Sequence, residues 1–243
     1  RGGDMDSRAD RPFETTRWSL IDDLRSDDES RSRAAGDQLV RLYWPAVYGF
    51  LRRSGLDTEQ AGEVTQAFFA DVVLTRHLFE KADPGIGRLR SYLLTALKRY
   101  RVDLARRAKS HPDWGGPDPS IITAVESRVS NGSSPELVFD REWAIAVLDE
   151  ARRRSEAHFC SNGRAGHWAL FEARHITPVA SGVEPPSLSR LAQSHGFDSP
   201  AAVAAALQVV RKRFRAALTA VLSEQNQEPD EQESRHVLDI LGA

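Results

Sequence analysis

Apolar residues recur along the chain at steps of three and four, and nothing alternates with period two for long. That is the helical period, so an all-α protein is predicted. In the first half a helix is expected near residues 14–25, where Thr15 or Thr16 caps Trp18-Ser19-Leu20-Ile21. A long helix is expected near 30–54, with Leu39, Leu42, Tyr43, Ala46, Val47, Phe50 and Leu51 as its apolar stripe. Pro45 sits inside that stripe and is expected to kink it. A third helix is predicted near 57–74, opened by Asp57 or Thr58 as N-cap, with Glu59 and Glu63 in its first turns. Its apolar face is Ala61, Val64, Phe68, Phe69, Val72 and Val73. A fourth helix starts after Asp83-Pro84-Gly85 and runs to about Ser110.

The pattern then breaks. Residues 111–134 open with His111-Pro112-Asp113-Trp114-Gly115-Gly116-Pro117-Asp118-Pro119 and end with Ser130-Asn131-Gly132-Ser133-Ser134, a linker composition with room for one short helix across Ile121–Arg128. Beyond it a helix is predicted from Pro135, at the favoured first position, to about His158, and a shorter one near 164–174. Leu188–His195, a turn at Gly196-Phe197-Asp198 and a helix from the N-cap Ser199 through Leu222 follow. Gln232–Leu241 closes the chain as a last short helix. The expected architecture is two helical domains, 1–110 and 135–243, joined by the linker 111–134.

The chain has 243 residues, enough for a substantial core without disulfides. Charge changes the picture more than length does. The net charge is −2, but the basic residues comprise 29 Arg and only 4 Lys. Arg forks phosphate and carboxylate bidentately, whereas Lys offers a point charge. The single cysteine, Cys160, excludes an internal disulfide framework. No apolar run is long enough to span a membrane, and Arg1-Gly2-Gly3-Asp4 lacks the apolar core of a signal peptide. A soluble, cytoplasmic protein is expected.

The fourth helix holds most of the local charge. Arg88, Arg90, Lys98, Arg99, Arg101, Arg106, Arg107 and Lys109 face one acid, Asp103, giving +7 in 22 residues. Leu89, Tyr92, Leu93, Ala96, Leu97, Tyr100, Leu104 and Ala108 form an apolar face, and Lys98, Arg101, Arg106 and Lys109 project opposite it. Such a ridge is either a phosphate-binding face or a solvated one balanced by acids such as Asp22, Asp23, Asp27, Asp28 and Glu29.

The segment Leu188–His195, its glycine turn and the helix ending Arg211-Lys212-Arg213-Phe214-Arg215 fit a helix-turn-helix, and also an ordinary αα-hairpin, which is commoner than the DNA-binding kind. The front of the second helix, Ala201 to Leu207, offers no hydrogen bonds to base edges, and Gln208 is its first side chain able to make one. His158, Cys160 and His167 lack a fourth zinc ligand at a structural spacing. Gly85-Ile86-Gly87 lacks the rest of a dinucleotide loop, and no catalytic set is suggested locally. The sequence points to a non-enzymatic protein with no cofactor.

Longer phrases carry a resemblance. Pro12-Phe13-Glu14-Thr15-Thr16-Arg17-Trp18-Ser19-Leu20, Tyr43-Trp44-Pro45-Ala46-Val47-Tyr48-Gly49-Phe50-Leu51-Arg52-Arg53, Thr65-Gln66-x-Phe68-Phe69 and the stretch from Ala82 to Tyr100 are similar to bacterial extracytoplasmic-function (ECF) sigma factors, in particular the planctomycete-type group. The resemblance implies two helical domains that bind core RNA polymerase and promoter DNA. It implies that Glu59, Glu63, Gln66 and Phe69 dock on the polymerase. The basic helix from Arg88 and Arg90 to Lys109 would approach the minus-ten element, and Gln208, Arg211, Lys212, Arg213 and Arg215 the minus-thirty-five element. An anti-sigma factor or another sigma factor is a further partner left open.

Three departures from the family pattern stand out. Acids of the polymerase face become Gln60, Gly62 and Ala67, the recognition helix carries alanines in place of Lys, Arg or His, and residues 224–243 carry six acids and one base. The first two of these departures support an alternative: a sigma-like negative effector or modulator that works through protein contacts.

Overall fold

The computed structural model describes residues 19–71, 89–104 and 133–225. All regular structure among them is helical. In chain order it comprises α1 (Ser19–Leu24), α2 (Glu29–Arg53), α3 (Thr58–Phe69), α4 (Leu89–Leu104), α5 (Pro135–Ser161), α6 (Ala165–Phe171), a π-helical turn (Glu172–Ile176), α7 (Thr177–Ser181), α8 (Leu188–His195) and α9 (Pro200–Ser223). The helices expected at Ile121–Arg128 and Gln232–Leu241 lie outside the described residues, as do Thr15 and Thr16.

Side chains set the helix starts. Asp28 caps α2, accepting from the Ser30 and Arg31 amides. Asp57 and Gln60 form a reciprocal capping box on α3: Asp57 Oδ1 accepts from the Gln60 amide at 2.8 Å, and Gln60 Oε1 accepts from the Asp57 amide at 3.3 Å. Ser134, Ser187 and Ser199 cap α5, α8 and α9. Gly196 ends α8 in the left-handed region, φ 70°, where a side chain would be strained.

Two cores organise the described residues. The first joins α1 to α4 with Phe139, Trp143, Ala144, Val147 and Ala151 of α5 and Ala217, Leu218, Val221 and Leu222 of α9. The second gathers Phe159, Trp168, Leu170, Phe171, Leu191, Ala192, Val203, Ala206, Leu207 and Val210 around the α8–α9 pair. The long helices α5 and α9 therefore run through both, and Phe214 packs against each. Helices from either side of the expected 111–134 break share the first core.

That sharing explains α2. All seven residues of its expected stripe are buried, but so are Trp44, Pro45, Tyr48 and Gly49 on its other sides. A helix buried all round has neighbours all round, and α5 provides the one that sequence periodicity does not show. The helix continues through Pro45 to Arg53.

A polar junction closes this core. Gln225 Oε1 accepts from the Tyr43 hydroxyl (2.6 Å) and the Trp143 indole N–H (3.1 Å). The Glu224 carboxylate takes two hydrogen bonds from Arg154, at 2.6 and 2.8 Å, and one from Gln38 at 2.6 Å. Glu224, and secondarily Glu150, hold the Arg154 guanidinium above its ordinary pKa against the opposing effect of burial. The first acid of the C-terminal stretch is thus a structural tie between α2, α5 and the end of α9.

Candidate nucleic-acid and polymerase interface

The basic face of α4 stands on a core-facing row, Leu89, Leu93 and Leu97, each fully buried at four-residue spacing. Lys98, Arg99 and Arg101 are exposed. The Arg101 guanidinium lies 5.9 Å from the centre of the Phe50 ring. Lys98 Nζ is 2.8 Å from Glu136 Oε1, with both side chains near half-exposed (48% and 42%). The hydrogen bond from Lys98 is the main reason that the Glu136 carboxyl sits below its usual pKa.

Arg90 departs from the expected DNA-facing set. Its side chain is only 11% exposed, ion-paired to Asp140 at 2.7 Å, with its guanidinium 4.7 Å above the Trp143 ring. The physical reason is helical phase. Arg90 precedes Leu97 by seven residues, close to two turns, and so shares the buried side of α4. Arg88, Arg106, Arg107 and Lys109 lie outside the described residues.

On α9, Gln208, Arg211, Lys212, Arg213 and Arg215 are all exposed, in the stretch between the two cores. Arg211 is 3.1 Å from the His175 Nε2 of the π-helical turn. Burial, then Arg211 and Arg174, push the His175 pKa down, which favours a neutral ring accepting from Arg211. Toward the start of α9, Ala201, Ala205 and Val209 (46% exposed) present an outward surface without hydrogen-bonding groups.

On α3, Glu59 and Glu63 are exposed and Gln66 is partly so. Phe69 is not an exposed contact: it is 1% exposed and stacks on Trp44 at 5.8 Å. Ala67 is also buried, so its change from the family's acid does not thin the exposed face, while Gln60 serves the capping box. Gly62 is different. A Cβ there would meet no heavy atom within 4 Å. Gly62→Ala is therefore expected to raise the unfolding free energy by about 0.5–1 kcal/mol, measured by urea denaturation.

His158 and His167 flank the Phe159 ring, at 5.5 and 6.3 Å between ring centres. Among the described residues no group of three or more His, Cys, Asp or Glu is placed to hold a metal ion. None of their helices is long and apolar enough to cross a membrane. The residues that the sequence did not nominate are Glu136 and Asp140, which face α4 from another helix. The only sequence signal for them was their spacing of four on α5.

No protein-family model and no solved structure matches the chain. Among curated proteins it is similar to the ECF RNA polymerase sigma factor RpoE of Cereibacter sphaeroides. The two are 30% identical over 154 residues, 61% of this chain and 76% of that protein. With that identity across three quarters of the relative, and an all-helical structure, the chain belongs to the ECF RNA polymerase sigma factor family.

Proposed function

We propose that the protein binds core RNA polymerase through α3 and promoter DNA through α4 and the α8–α9 helix-turn-helix, and so directs transcription initiation. The observation that carries this is the exposed cationic set Lys98, Arg99 and Arg101 on a helix anchored by its buried Leu89, Leu93 and Leu97, in a chain whose relative is named as a polymerase sigma factor. Cations on a rigid helix neutralise phosphates without reorganising the fold. Arg211, Lys212, Arg213 and Arg215 anchor the second contact on the backbone, and their exposure supports that role.

Glu59 and Glu63 supply the negative charge of the polymerase face, and their exposure supports electrostatic docking on a basic partner surface. Titrating labelled protein with core RNA polymerase is expected to give saturable binding. Glu59→Lys with Glu63→Lys is expected to weaken it by about tenfold or more, since like charges juxtaposed at an interface repel. Equal affinity in both proteins would remove α3 from the interface.

A second reading is favoured by one observation. Ahead of Gln208 the exposed alanines of α9, Ala201 and Ala205, have no group with which to read a base edge. On this reading the protein is a sigma-like modulator acting through protein contacts, and it retains no DNA sequence preferentially.

A further inference from the structure

We propose that the first turn of α5 carries an internal phosphate mimic: Glu136 occupies Lys98 of α4, the shielded Arg90–Asp140 pair seats it there, and DNA reaches Lys98 only in competition with Glu136. This rests on the reading of α4 as a DNA-binding face.

Glu136, Asp140 and Trp143 follow one another at four and three residues, which places them on one side of α5. All three meet α4. Asp140 Oδ1 pairs with Arg90 at 2.7 Å, Trp143 lies under the same guanidinium at 4.7 Å, and Glu136 Oε1 pairs with Lys98 at 2.8 Å. The order is antiparallel: the later residue of α5 meets the earlier residue of α4. A carboxylate engages the same guanidinium and ammonium donors as a phosphate oxygen, with comparable charge-assisted hydrogen bonds.

The two pairs have different characters. Arg90 and Asp140 are largely shielded and fixed by the Trp143 ring, so they set where α5 lies on α4. Lys98 and Glu136 are both near half-exposed, so that pair opens without disturbing the core. Glu136 alone has another explanation, because acids favour the first turn of a helix. Asp140 lies beyond that turn and is ion-paired to α4, which the helix dipole does not explain. The start of α5 is fixed by the Ser134 cap and Pro135, which hold the stripe in place.

The test measures the affinity of the full chain for a labelled duplex of random sequence, at several salt concentrations. Glu136→Gln with Asp140→Asn, which removes the mimic and its seat, is expected to bind roughly twofold to threefold more tightly than the unaltered protein. Asp27→Asn with Asp37→Asn, two exposed acids of the α1–α2 region, makes the same change in net charge and is expected to gain less. Because Asp140→Asn removes the partner of a shielded guanidinium, Glu136→Gln alone is the second variant, with about a twofold gain expected. Equal gains in the α5 and control variants would overturn the proposal, since net charge would then account for both. No gain in either α5 variant, while Lys98→Ala with Arg101→Ala weakens binding, would overturn it and leave α4 as the DNA face. No response to any of these substitutions would overturn the DNA-face reading as well.

Discussion

Truncating Trp143 to alanine is expected to lower the unfolding free energy by about 3–5 kcal/mol. The indole is 1% exposed in the first core. Its N–H donates to Gln225 Oε1 at 3.1 Å, and its face receives the Arg90 guanidinium at 4.7 Å. The substitution therefore leaves a cavity, removes a donor from a buried amide and takes away the surface on which a shielded cation rests. Each effect is destabilising, and the cavity is the largest because a close-packed interior relaxes only partly around it. Urea denaturation followed by circular dichroism measures the loss. A change below about 1 kcal/mol would mean that α5 does not seat on α2 in solution, because a buried aromatic in a shared core is not removed so cheaply.

Replacing Lys98 and Arg101 together by alanine is expected to weaken DNA binding and to flatten the slope of log affinity against log salt by about one to two units. Each phosphate neutralised releases counterions, so the slope counts contacts more directly than affinity does. The distinction matters here because Lys98 is paired with Glu136 in the free protein, and its removal also frees a carboxylate. Affinity combines the two effects, whereas the slope reports the phosphate contacts. Both side chains are exposed, so the fold is expected to survive. An unchanged slope would remove these cations from the DNA interface.

Several elements are legible in the sequence because their causes are local. Ser199 and Pro200 open α9, Gly196 closes α8, and Asp57 caps α3, each through a backbone requirement that the residue type itself satisfies. Other features were legible but assigned twice. Phe69 belongs to the expected apolar face of α3 and, by the family resemblance, to the polymerase contacts; packing on Trp44 decides for the core. By charge Arg90 groups with the DNA-facing cations, although its spacing from Leu97 places it on the buried side. Charge drew attention there, and phase decides the outcome.

The remaining features depend on contacts between distant parts of the chain. The uncharged run from Leu42 to Leu51 marks a helix buried on all sides, but nothing in residues 30–54 identifies the helix that covers it, because that helix begins at Pro135. Gln225 is a polar residue just past the end of an amphipathic helix; its Nε2 donates locally to the Val221 carbonyl, and the distant Tyr43 and Trp143 donors satisfy its Oε1. The π-helical turn at Glu172–Ile176 has no composition that marks it in advance. The Pro- and Gly-rich break at 111–134 is visible in sequence, but such a break does not say whether the segments on either side pack together.

The central claim is that this chain directs RNA polymerase to promoters. The most direct measurement is a pull-down of core RNA polymerase with the full chain, followed by sequencing of the genomic DNA fragments that the complex retains. The account predicts stoichiometric capture of the polymerase and enrichment of one two-part motif. Failure to capture the polymerase, or its capture with no enriched motif, would contradict it.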